Sequence, residues 1–336
     1  MSAIRKTLRH SRSLFRCALA AGLIFFTSAA SPQATWTPSQ PVELVVGYSP
    51  GGGTDRSARK INRIFQDQKL VPNSVVVNKP GGSGAVGWLY LNNHKGNGNY
   101  LGIATPTLIT NHIAGRGQYR HTDFTPIARL FTESAVFAVA TDSPIKDWRD
   151  LVARLKKDPA SVSLGSGNLD GAAPLTFGAA VKANGVESRK MKLVVFSSAG
   201  DAVTASMGGH IDVAVVTSEG VKQQLAAGKM RALAISSAKR LASGTFALVP
   251  TLTEHGLKVV SGSWRVVLGP RGMTHEQIAY WNGVFAKLTA TGEWAHELEA
   301  GDATNEYLNS ADTSRFLDSQ YAQLKEIMSD LGLAKQ

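Results

Sequence analysis

The sequence predicts an α/β fold with largely parallel sheets flanked by helices. Two observations carry it: short apolar runs alternate with helical patterns, and small-residue loops recur where a strand gives way to a helix. The runs are residues 42–46, 74–77, 101–104, 135–140, 193–196, 211–216, 232–235 and 266–268, each of strand length and rich in Val, Ile and Leu. Between them, segments 55–65 and 199–207 open with small or acidic residues suited to helix starts. Near the end, Phe316, Tyr321, Leu324, Met328 and Leu331 fall close to one helical face, the pattern of a helix docked on a core. No internal repeat, charge block or low-complexity linker divides the chain.

Residues 1–34 are set apart as a signal peptide. Arg5, Lys6, Arg9, Arg12 and Arg16 precede an apolar run from Cys17 to Ala30, and small residues at Ser28, Ala30 and Ala34 offer cleavage positions. The run is shorter than the roughly 20 residues of a membrane-spanning helix. Cys17 stands at the start of the apolar run, directly after Leu14-Phe15-Arg16, so it does not fit a lipid-attachment site, and the product is expected to be exported, soluble and periplasmic. Because Cys17 is the single cysteine, the mature chain is expected to have no disulfides, thiol catalysis or thiolate metal site. Its stability must come from core packing, for which 43% apolar composition is ample. Removing the five basic leader residues lowers the formal charge from +11 to +6 (11 − 5), which lacks the concentrated basic stripe of a nucleic-acid binder.

The most informative segments are the small-residue loops: Tyr48, Ser49, Gly52, Gly53, Thr54 and Asp55; Thr105 and Thr107; Ser166, Gly167 and Asn168; and Ser198, Ala199, Gly200 and Asp201. In an open sheet such loops gather at the carboxyl ends of parallel strands, where ligands bind. First turns of helices there present unpaired N–H groups and partial positive charge to a carboxylate or phosphate. Glycine permits close backbone approach, and Ser or Thr hydroxyls add adjustable donors. Gly82, Gly84 and Gly87 form a G-x-G-x-x-G pattern, but no acidic residue follows near Ala104 to hold a ribose, so it reads as a tight turn with close helix packing. No G-x-S-x-G elbow occurs, and His275-Glu276 and His296-Glu297 are followed by Ala279 and Ala300 where a zinc helix needs a second His. Trp88, Trp148, Trp281 and Trp294 read as packing residues, whereas Trp264, beside the strand 266–268, is expected to line a cleft.

These loops form a series. Leu44-Val45-Val46 leading into Ser49-Pro50-Gly51-Gly52-Gly53-Thr54-Asp55, then Val75-Val76-Val77-Asn78-Lys79-Pro80-Gly81-Gly82, resembles the Bug-type receptors of tripartite tricarboxylate transporters. The likeness continues in order through Asp123-Phe124-Thr125-Pro126-Ile127-Ala128, Gly208-Gly209-His210-Ile211-Asp212, Gly228-Lys229-Met230-Arg231-Ala232-Leu233-Ala234 and Val249-Pro250-Thr251-Leu252.

The resemblance implies a two-lobed, type II periplasmic-binding-protein fold of the Venus-flytrap kind, each lobe a mostly parallel sheet between helices. Residues 35–136 and 241–336 would form lobe I, and 137–240 lobe II. The first-lobe jaw is then 49–55 with Thr105 and Thr107, and the second is 166–168 with 198–201. Asp55 and Asp201 are better suited to capping their helices than to meeting a bound carboxylate, which they would repel. Where the family commonly carries a glycine-rich turn and a His, this chain has Asp170 and Pro174, a departure that favours a ligand bearing an amino or hydroxyl group. The resemblance further implies a monomeric, non-enzymatic receptor without cofactor. It would capture a small carboxylate and hand it to integral membrane subunits of the transporter. A ligand sensor needs the same cleft, and a periplasmic enzyme is disfavoured by the missing motifs.

Overall fold

A computed structural model describes residues 36–167, 171–241, 244–258 and 262–335. The expected signal peptide, Asn168 and Asp170 lie outside the described residues. The first part of the chain builds β1 (Val42–Val46), α1 (Gly53–Asp67), β2 (Ser74–Asn78), α2 (Ala85–Asn92), β3 (Tyr100–Ala104) and α3 (Thr107–Ile113). A long strand, β4 (Thr125–Ala140), leads into α4 (Trp148–Lys157), β5 (Ser163–Ser166), α5 (Ala172–Ala183), β6 (Lys192–Val195) and α6 (Ala199–Met207). Then come β7 (Val213–Thr217), α7 (Ser218–Ala226) and β8 (Met230–Ile235). The chain ends with β9 (Gly262–Gly269), α8 (His275–Thr289), α9 (Gly292–Ala300), β10 (Ala303–Leu308) and α10 (Ser310–Asp330).

The strands follow the order β2-β1-β3-β9-β4-β7-β5-β6, with β8 and β10 also paired to β4. Parallel pairing holds for β2-β1-β3 and for β6-β5-β7. The middle is antiparallel, because β9, β10, β7 and β8 all run against β4, so the sheet is mixed rather than mostly parallel. The physical reason is β4 itself, a 16-residue strand whose residues 125–134 pair with β9 and whose residues 135–138 pair with β7. One strand thus belongs to two strand groups, and each group has its own cores. Leu44, Ile61, Phe65, Trp281 and Phe285 pack on one face of the first group, and Trp88, Leu108, Trp264 and Met328 on the other. Phe137, Trp148, Leu164 and Phe177 fill one face of the second, with Val136, Val203, Val216 and Phe246 opposite. Each large side chain buried this way stabilises the fold by about 1.5–3 kcal/mol.

Sequence patterning finds β1 and α6 at their observed bounds and locates α1 and α10. It misses the first ten residues of β4, where Pro126, Arg129, Thr132 and Glu133 interrupt the apolar run, and it misses β5 and the polar β10. On α10, Leu324 and Met328 are buried together with Leu317, and Phe316 and Tyr321 pack at the margin. The glycine motif makes a tight turn: Gly84 has φ 99°, and a Cβ on Gly87 would stand 2.6 Å from the Gly47 Cα, so α2 rests on the end of β1 only without one.

Candidate ligand-binding site

Where β1 ends, the chain turns through Ser49, whose carbonyl accepts from the Gly52 N–H (3.5 Å), and enters α1 behind Gly52. Gly52 offers no side-chain cap, so the first N–H groups of α1 are left for other partners. Asp55 is buried in this turn. Its carboxylate accepts from the Gly51 N–H, the Asn78 side-chain amide and the Arg59 guanidinium, all at 2.9 Å, and Asn78 also donates to the Tyr48 carbonyl. Burial pushes the Asp55 carboxyl upward, but those three donors outweigh it and bring it down to about 2. Asp55 therefore braces the loop, while Tyr48, Gly53 and Thr54 face a cleft beside Thr105 and Thr107.

Across the cleft stands Ala199, the first residue of α6. Ser198 caps that helix, its hydroxyl oxygen accepting from the Asp201 N–H at 3.1 Å. Gly167 backs the same turn: a Cβ there would lie 2.9 Å from the Ala199 nitrogen and 3.0 Å from the Ser198 carbonyl carbon. The two loops touch because position 167 has no side chain. Ser166 is buried at the end of β5, Asp201 is exposed, and neither lines the cleft; nor do Gly200, Ser49 or Gly52.

The cleft encloses about 570 Å³ and takes further walls that the loop series leaves out: Arg56 from α1, Thr217, Glu219, Gly220, Gln223 and Gln224 around the start of α7, and Glu133, Ser263 and Arg265 at the floor. Arg265 is buried there. It donates to both Glu133 oxygens at 3.1 Å and to the hydroxyls of Ser263 (2.7 Å) and Ser57 (3.3 Å). At the mouth, Arg56 pairs with Glu219 at 2.6 Å. Among the described residues, the four charged side chains lining the cleft thus cancel in two pairs. First turns of α1, α3, α6 and α7 converge on the space, and neither α1 nor α7 has a side-chain cap.

Trp264 lies elsewhere. Successive residues of a strand point to opposite faces, so with Ser263 and Arg265 toward the cleft, Trp264 turns to the other side, donates to Gln320 (3.2 Å) and meets Phe316 edge-on.

The model of the family described as tripartite tricarboxylate transporter family receptor matches residues 58–333. The chain belongs to this receptor family. A relative from Cupriavidus necator, the UPF0065 protein in the gbd 5′ region, is 27% identical over 95% of this chain and 97% of its own. BugT of Bordetella pertussis is 26% identical over 73% of this chain and 74% of its own. Among solved structures, a TctC solute-binding protein from Polaromonas superposes with a TM-score of 0.74 at 30% identity, covering 88% of this chain and 99% of its own. The R. palustris protein Rpa4515, solved with adipate, has the same fold, with a TM-score of 0.75 at 24% identity and coverage of 88% and 99%.

In this receptor the α7 turn carries the signal that the loop series overlooks. Thr217-Ser218-Glu219 is another small-residue step from a strand into a helix. Arg265 and Glu133 gave no such signal, since strand charges read as solvent-facing until the pairing of β4 with β9 buries them together.

Proposed function

We propose that this receptor captures a small carboxylate in the cleft between α1 and α6–α7 and delivers it to the membrane subunits of a tripartite tricarboxylate transporter. The observation that carries the reading is the convergence of helix first turns from both strand groups on one cleft, with α1 and α7 uncapped by side chains. Backbone N–H groups at such turns bind a carboxylate without a dedicated cation. That suits a cleft whose buried Arg265 is already paired, with the exposed Arg56 able to trade Glu219 for the ligand at the mouth. The bound adipate of Rpa4515 is in keeping with this class of ligand. Tyr48, Gly53, Thr54, Thr105, Thr107 and Ala199 are the contacts, while Asp55, Ser198 and Gly167 hold the loops in place.

In the same proposal, residues 35–136 with 241–336 and residues 137–240 act as lobes hinged about β4. A ligand touching both favours closure by the contacts that the open form lacks. The protein is taken to work in the periplasm as a non-enzymatic monomer. No helix among the described residues is long and apolar enough to cross a membrane.

Thermal melting of the purified receptor with adipate, malate and citrate tests the binding. A ligand at 100 times its Kd stabilises by about 2.7 kcal/mol. A clear shift with at least one acid is the expected result; none at millimolar concentration would remove the proposal. Loss of uptake of that acid in a deletion strain tests delivery, and unchanged uptake would leave a binding protein outside the transport path.

A further inference from the structure

A second cavity lies on the far side of β4 and β9 from the ligand cleft, and at about 620 Å³ it is slightly the larger. Strand alternation separates the two. Glu133, Ser263 and Arg265 face the cleft, whereas Thr132, Ser134 and Trp264 face the back cavity. Its remaining walls come from both strand groups: Arg129, Glu306, Phe316 and Gln320 from the first, and the segment 236–241 after β8 from the second.

Its charge differs from that of the cleft. Among the described residues the cleft lining sums to zero, Arg56 and Arg265 against Glu133 and Glu219. The back lining holds Arg129, Lys239 and Arg240 against Glu306, three less one, or +2. Arg129 is paired with Glu306 and lies 4.0 Å from the centre of the Phe316 ring, and Arg240 is held by Glu254. Lys239 is exposed, with no ion pair among the described residues. Polar capacity is also unspent. The Ser237 hydroxyl and the Arg129 Nε are buried without hydrogen-bond partners among the described residues, an arrangement that costs about 1–3 kcal/mol each when nothing satisfies it.

We propose that the back cavity is a second binding site, for a small organic carboxylate. The Lys239 ammonium at the mouth meets the carboxylate, the Ser134 and Ser237 hydroxyls serve its oxygens, and Phe316 and Trp264 cover its carbon body, while the Thr132 hydroxyl stays donated to Glu306. Because the walls come from both sides of the β4 hinge, an occupant there also bears on how the lobes move.

The test is calorimetric titration of the full receptor with citrate and, separately, with inorganic phosphate. Three variants accompany it: Ala199→Trp fills the cleft, while Lys239→Glu and Ser237→Leu alter the back cavity. The Ala199→Trp receptor is expected to retain a citrate site, weakened at least about tenfold by adding Lys239→Glu or Ser237→Leu. Circular dichroism and the melting temperature confirm that each variant folds. Loss of all citrate binding in folded Ala199→Trp overturns the proposal, as does residual binding indifferent to both back-cavity changes. Binding of neither anion at millimolar concentration has the same consequence. Phosphate bound in preference to citrate overturns the carboxylate assignment.

Discussion

The Arg56 guanidinium lies 2.6 Å from the Glu219 carboxylate, and the two residues stand on helices of different strand groups, α1 and α7, that both line the cleft. An internal carboxylate therefore occupies the cation that a carboxylate ligand would meet at the mouth. Both side chains are close to half exposed, 49% and 40%, so water screens the pair and it contributes no more than about 1 kcal/mol. A contact that weak is readily exchanged for one with a ligand.

Glu219→Gln follows from that exchange. With Arg56 released, binding of adipate is expected to tighten several-fold, and Arg56→Ala should weaken it, while the melting temperature of either variant stays within a few degrees of the parent. Calorimetric titration alongside thermal melting measures both quantities. Equal affinities in the three proteins would place Arg56 outside the ligand's reach.

Asp55 makes a pH-dependent prediction. Its folded-state value near 2 lies below the ordinary 3.8, because the donors from Arg59, Gly51 and Asn78 outweigh the opposing effect of burial. A depressed carboxylate contributes stability that is present above its unfolded value and lost as pH falls toward its folded value. The window is therefore pH 4 down to 2, and the contribution is about 2 kcal/mol. Asp55→Asn should lower stability at neutral pH and flatten the dependence on pH in that window. Urea unfolding at pH 7, 4 and 3 provides the comparison, and parallel profiles for the two proteins would rule out the brace.

The buried Arg265–Glu133 pair predicts a different pattern. Both side chains are nearly enclosed, 4% and 9% exposed, so removing one charge strands the other. Glu133→Gln should cost about 3–5 kcal/mol, and the double replacement Glu133→Gln with Arg265→Met should recover much of that loss. Adipate should stabilise Glu133→Gln more than it stabilises the parent, since the freed guanidinium then faces the cleft. Thermal melts with and without adipate make the comparison, and equal increments would separate Arg265 from the ligand.

How far the sequence foretold this arrangement depends on how locally each feature is encoded. The turn from β1 into α1 is written in consecutive residues, Ser49 to Asp55, and it folds where those residues indicate. The α6 start at Ser198 and Ala199 is equally local. The floor is not. Glu133 and Arg265 are 132 positions apart and meet only because β4 bends its pairing from β9 to β7 along one continuous strand, a length that polar residues conceal in the sequence. Trp264 shows the same limit: beside a strand edge either face was open to it, and the register of Arg265 against Phe131 turns the indole to the back. Asp55 is read from the sequence both as part of the jaw 49–55 and as a helix cap, and neither reading reaches its bond to Asn78, which depends on the parallel pairing of β1 with β2.

Gly167 offers a test of whether the loops after β5 and β6 matter as a unit. A methyl group at this position would press on the backbone of Ser198 and Ala199 at 2.9–3.0 Å, and backbone atoms have no rotamer by which to yield. Gly167→Ala should displace the first turn of α6 from the cleft, cost about 1–3 kcal/mol of stability, and lower adipate affinity. Gly185→Ala is the matched control, because its φ of +81° strains any other residue by about 1–2 kcal/mol although nothing lies within 4 Å of the added carbon. Two variants of similar stability but different affinity would locate the effect at the α6 turn. If both bind adipate as the parent does, the contact between the loops shapes the fold alone and Ala199 is not a ligand contact.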